Sequence, residues 1–166
     1  MALQALQALL ETIEKLHKLH RSLLEISKRK SDHLKANDMD GLQKQLLAEK
    51  KHVQAVAQLE KLRIKQTEAY AVASGLPVPS TVSELLEQIT DQKLALRFEH
   101  ELIGLTETVT ELKKQEALNQ QLLEQSMQFL QISLDMLAPS IQSLNYGTPN
   151  QDQQRPQNRT LFDSKA

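Results

Sequence analysis

Apolar residues return every three or four positions along the start of the chain: Leu6, Leu9, Leu10, Ile13, Leu16, Leu23 and Leu24, with His17 and His20 among them. This is the repeat of a helix with one apolar face. It carries to about Ala36 and meets Asn37-Asp38-Met39-Asp40-Gly41, where short polar side chains favour turns and caps. Asp38 is placed to cap a second helix, from Met39 to about Ala73. The pattern allows either a reversal or a kink at 37–41.

Ser74-Gly75-Leu76-Pro77-Val78-Pro79 predicts a loop, with Gly75 closing the helix in a left-handed conformation and the prolines preventing its continuation. Thr81 and Glu84 form a Thr-x-x-Glu capping box for a short helix through Leu85, Leu86 and Ile89. Thr90-Asp91 offers a cap for the last helix, expected over about 92–137. That helix carries a heptad seam of Phe98, Leu102, Leu105, Val109 and Leu112, with Glu116 and Asn119 at the next seam positions and Leu123 resuming it. Gly104 is the one glycine inside a helical pattern. So long a helix must pair lengthwise with the earlier ones.

The pattern changes twice near the end. In 122–137, nine of sixteen residues are apolar. One stripe runs Leu123, Met127, Leu130, Leu134, Leu137 and another Leu122, Phe129, Met136, making a face wider than a two-helix seam covers. From Ala138, three prolines and eight Asn/Gln in the last 29 residues predict a disordered tail, with Leu161-Phe162 as an apolar pair near its end. The fold class is therefore all-α: an elongated antiparallel helical bundle or coiled coil of two to three long helices plus one short helix, with a helical domain at 1–137 and a flexible tail at 138–166.

Composition agrees. Hydrophobic residues make up 40% but aromatics only 3%, with no Trp, which suits thin helical bundles better than a thick enzyme core. The absence of cysteine removes thiolate chemistry and disulfides. Glu11, Glu14 and Lys15 interrupt the first apolar stretch, and no run approaches the roughly 20 apolar residues of a membrane span. A soluble, cytoplasmic protein without membrane insertion is expected. Net charge is -1, but residues 1–75 carry 13 Lys/Arg against 9 Asp/Glu, a balance of +4, and residues 76–137 carry 4 against 10, a balance of -6. Halves of opposite sign attract when folded back antiparallel, which favours internal pairing over a nucleic-acid surface.

Nothing in the chain assembles into catalytic chemistry, and a non-enzyme without cofactor or metal is expected. His17 and His20 lie one turn apart without a third ligand nearby. Glu14 and His17 form one Glu-x-x-His pair, where a metal-bundle enzyme repeats it on facing helices. Lys28-Arg29-Lys30 reads as a solvated helix face. The stretch 122–137 admits two readings, a core or homodimer face and a docking face for a partner helix. On the second, Leu122, Leu123, Met127, Phe129, Leu130, Leu134 and Leu137 are the partner-binding residues.

Three stretches resemble the FlgN-type flagellar export chaperones. They are the polar break Lys35-Ala36-Asn37-Asp38-Met39-Asp40-Gly41-Leu42; the loop Gly75-Leu76-Pro77 with the short helix Thr81-Val82-Ser83-Glu84-Leu85-Leu86; and Leu118 to Leu130. The terminal Arg159-Thr160-Leu161-Phe162-Asp163-Ser164-Lys165-Ala166 is similar to the tails of Bacillus-type members. The resemblance implies a cytoplasmic chaperone that holds hook–filament junction (hook-associated) proteins soluble before type III export. It also implies that the C-terminal helical region engages the client's helical terminus. Tyr146, Leu161 and Phe162 are candidates for a second partner such as the export gate. The alternative is a structural coiled-coil scaffold or homodimer without an export client.

Overall fold

The computed structural model describes the backbone of residues 1–144 and the side chains of residues 1–138. These residues form α1 (Ala2–Lys35), α2 (Met39–Ser74), α3 (Val82–Gln88) and α4 (Gln92–Leu144), with no strand among them. The all-α reading holds.

The break at 37–41 is a full reversal. Asn37 takes a positive φ of 53°, and the Asp38 carboxylate accepts the Gly41 amide at 2.9 Å, so α2 starts soon after α1 ends. That donated N–H, with His33 beside it, holds the Asp38 carboxyl below its ordinary value. Lys30 meets Glu49 and Ser22 meets His52 across the hairpin, the order of an antiparallel pair. Gly75 closes α2 with φ 67°, and the Leu76 amide donates back to the Ala71 carbonyl.

The capping box at α3 forms with a shifted return bond. Thr81 Oγ1 accepts the Glu84 amide at 3.2 Å, but Glu84 reaches the amide of Ser80 rather than that of Thr81. Asp91 caps α4, accepting from Lys93 and Leu94.

Where α4 meets α1 the two run parallel. Glu14 pairs with Arg97, His17 with Glu101, Ser27 with Glu116 and Ser31 with Asn119, so both numbers rise together. The antiparallel relation belongs to successive long helices, and α4 returns beside α1 because α2 and the loop have already turned the chain twice. The sign asymmetry of the two halves is used sparingly, chiefly where Lys30 meets Glu116.

The core lies where α1 begins and α2 ends. Leu6, Leu9, Leu10 and Ile13 of α1 pack with Tyr70 of α2, with Leu85 and Ile89 at α3, and with Leu94 and Phe98 of α4. Phe98 is fully buried. The Tyr70 hydroxyl donates to the Gln88 carbonyl at 3.0 Å, satisfying the end of α3 inside the core.

Packing divides the chain into Met1–Met127 and Gln128–Ala166, and the core and every inter-helix bond above belong to the first. The described part of the second is α4 from 128 onward. That helix continues through Pro139 to Leu144, beyond the end expected near 137. Proline removes one amide, whose acceptor would have been the carbonyl four residues back, and a long helix needs no new nucleus to extend past it.

Candidate functional site

The α4 seam stays inside the first unit as far as Asn119, and its last buried layer is polar. Asn119, only 5% exposed, donates from Nδ2 to the Ser27 carbonyl at 2.9 Å, and its Oδ1 accepts from the Ser31 hydroxyl. Gln115 donates to the same Ser31 hydroxyl, and Ser27 donates to Glu116. Beside them the Lys30 ammonium donates to Glu49 at 2.6 Å and to Glu116 at 3.0 Å, tying α1, α2 and α4 together. Burial opposes the Lys30 charge, but the hydrogen bonds donated to Glu49 and Glu116 more than offset it and hold the ammonium above its ordinary value. Lys28 and Arg29 are exposed as expected of a basic run; Lys30 is not.

The register of α1 against α4 sets where their pairing ends. Ser31 and Asn119 pair at an offset of 88 residues, so Lys35, the last residue of α1, is opposite Leu123 by continuation. Met127, the next seam position of the first unit, lies beyond the last α1 residue in this register. Leu34, Leu42, Leu46 and Leu123 line a shallow cleft of about 200 Å³ floored by Lys30 and Asn119.

Within the first unit Leu122 is half-buried, Leu123 is 41% exposed and Met127 62%. In the second, Phe129, Leu130, Leu134 and Leu137 are between 56% and 70% exposed, as are Ile132 and, more so, Met136. The predicted partner-binding residues thus sit on one helix, and apart from Leu122 all are exposed. Gln120 hydrogen-bonds Glu124 and Gln131 bonds Asp135, both at 2.9 Å, along the polar side of the same turns. No Lys or Arg follows Lys114 before Leu144, so the charges that α4 itself carries along this stretch, Glu124 and Asp135, are negative. Tyr146, Leu161 and Phe162 lie outside the described residues.

His17 and His20 bond within the fold. His17 Nδ1 meets Glu101 at 2.8 Å, with Nε2 3.4 Å from the Thr108 hydroxyl, and His20 bonds the Leu16 carbonyl. Among the described residues no group of three His, Cys, Asp or Glu is placed to hold a metal. Gly104 has its explanation here, since a Cβ on it would stand 2.6 Å from the His17 ring. No described helix is long and apolar enough to cross a membrane.

The Lys30 cluster is the part of the site that sequence reasoning missed. The signal was present: Ser27, Lys30 and Ser31 continue the α1 stripe, while Glu116 and Asn119 continue the α4 seam. Polar residues at matching seam positions of two helices are a pairing signal that neither stripe carries alone.

The family model described as FlgN protein matches residues 1–154. An uncharacterized protein of Bacillus subtilis (strain 168), YvyG, is 34% identical over 146 residues, covering 87% of this chain and 88% of the relative. No solved structure matches. A match across all of the described residues, together with a relative aligned over most of its own length, means that the chain belongs to the FlgN family, which supports a flagellar export chaperone role rather than a catalytic one.

Proposed function

We propose that this protein is a cytoplasmic chaperone that binds the C-terminal helical region of a hook–filament junction protein and keeps it soluble and competent for type III export. The observation behind this reading is the exposure of the apolar residues that α4 carries from Leu123 to Leu137. A client helix laid against Leu123, Met127, Leu130, Leu134 and Leu137, with Phe129 as a flanking anchor, would remove apolar area from water on both partners. Burial of ~1,000 Å² at ~25 cal/mol per Å² provides ~25 kcal/mol gross, most of it offset by ordering and association. The remainder suits a client that must later be released. Residues 1–137 form the chaperone domain in this scheme, and the tail from 138, with Tyr146, Leu161 and Phe162, contacts the export gate.

The test is client binding by full-length protein carrying Leu130→Asp and Leu134→Asp. Binding is lost while helicity stays close to wild type. Retained binding, or collapse of the fold, would count against a docking face. The competing use of the same face is self-association in a scaffold. A free chain that sediments as a stable dimer at micromolar concentration, and is made monomeric by the same pair of substitutions, would establish that reading instead.

A further inference from the structure

We propose a second docking surface, independent of the face at 122–137: the groove between α3 and α4, fitted to a basic amphipathic helix of a partner protein. Val82 and Leu86, one turn apart on α3, face Leu102 and Ile103 of α4 across an apolar groove of about 340 Å³. Val82 is 51% exposed and Ile103 53%, whereas the neighbours that anchor α3 to the core, Leu85 and Ile89, are buried. The core therefore holds α3 without using Val82, and the outer side of the groove is left open to solvent.

The rim identifies the occupant. Glu99 and Glu107 line the groove four residues before and four after Ile103, on one face of α4. At about 1.5 Å per residue they stand about 12 Å apart along the helix. Among the described residues neither has a cation within 4 Å, whereas Arg97 nearby is taken by Glu14 and Arg63 by Glu60. Leu96, also largely exposed, stands two turns before Ile103, beside Arg97 and His100 in a neighbouring hollow. A surface that alternates apolar and acidic along one helix face is complementary to a helix with apolar anchors between two cations set two turns apart. It repels an acidic helix and nucleic acid alike. Rim pairs of this kind set orientation and association rate more than affinity, so the occupant binds reversibly and in a salt-dependent way.

The probe is a synthetic amphipathic peptide with two lysines two turns apart and leucines between, titrated into isotope-labelled full-length protein. A second peptide has both lysines replaced by glutamate. Amide shifts confined to 82–86 and 96–107 are expected, with affinity falling about ten-fold or more in the Glu99→Gln/Glu107→Gln double variant or at high salt. The double variant keeps both side chains' size at exposed positions, so the fold is preserved. Ile103→Ser, checked for unchanged helicity, should weaken binding independently of salt. Equal binding of the glutamate peptide, shifts centred on 123–137, or no binding by the lysine peptide would each overturn the proposal. So would self-association of the free chain that Ile103→Ser abolishes, which would make the groove a contact between copies.

Discussion

Lys30 Nζ lies 3.0 Å from Glu116 Oε2, and the same ammonium reaches Glu49 at 2.6 Å, so one buried cation is shared by three helices. The lysine side chain is 7% exposed, against 25% for Glu49 and 41% for Glu116, so removing the cation leaves carboxylates that water can still reach in part. Lys30→Met is expected to cost about 1–3 kcal/mol, below the range for a wholly buried pair. A double-mutant cycle of Lys30→Met with Glu116→Gln should give a coupling near ~1 kcal/mol by urea denaturation. Additive single costs would show that the pair contributes nothing of its own.

Asn119 sits at a seam position where the heptad pattern would take leucine, and its side-chain bonds go to α1. A buried amide of this kind fixes register, because sliding one helix along the other orphans it. Asn119→Ala should destabilise by about 2 kcal/mol, leaving the Ser31 hydroxyl without its acceptor. Asn119→Leu should keep helicity but relax register. Doubled backbone resonances in α1 and α4 are the expected sign, and a single sharp set would argue against a register role.

Gly104 and His17 make a steric pair. Alanine at 104 would gain about 1 kcal/mol of helix propensity but meets the His17 ring at 2.6 Å, and that ring is tethered to Glu101. Gly104→Ala alone should therefore lower the melting temperature. In a His17→Ala background the same change should raise it. A gain in both backgrounds would mean that the ring moves aside freely.

Two groups predict an alkaline limit. Lys30 is held above its ordinary 10.5 by its carboxylate partners despite burial, and burial raises Tyr70 above its ordinary 10.0. In both the folded form binds its proton more tightly than the unfolded chain. Their stabilisation is complete below about pH 10 and is lost as pH rises through the folded values. Chemical denaturation from about pH 7 to 11 should show a level midpoint and then a fall, with the part of the tyrosinate signal that Tyr70→Phe removes appearing only as the chain unfolds. Tyr70→Phe should remove part of that fall.

The helices were legible where a boundary carries its own chemistry: Asp38, Gly75, Thr81 and Asp91 all act where their residue types suggest, whereas the end of α4 was placed too early. The heptad seam was legible through Leu112 for the same local reason. What stayed hidden needed two helices at once. Nothing near Lys30 in sequence announces Glu49 and Glu116, and a basic run reads as solvated until the turn at Asn37 brings α2 back. The parallel relation of α1 and α4 was equally unreadable, because opposite net charges attract in either direction. The apolar density of 122–137 was plain, but the exposure of its residues was not.

Because α1 and α4 pair in parallel, their contacts join residues 83 to 92 positions apart in the chain. A nascent chain can close the α1–α2 hairpin early, but one side of the α1 stripe waits until Phe98 and the residues after it have left the ribosome. Contacts of such sequence separation slow folding and lengthen the time that Leu9, Ile13 and Leu16 stand uncovered. During synthesis the apolar stripe of α1 therefore stands partly bare until the last helix has been made.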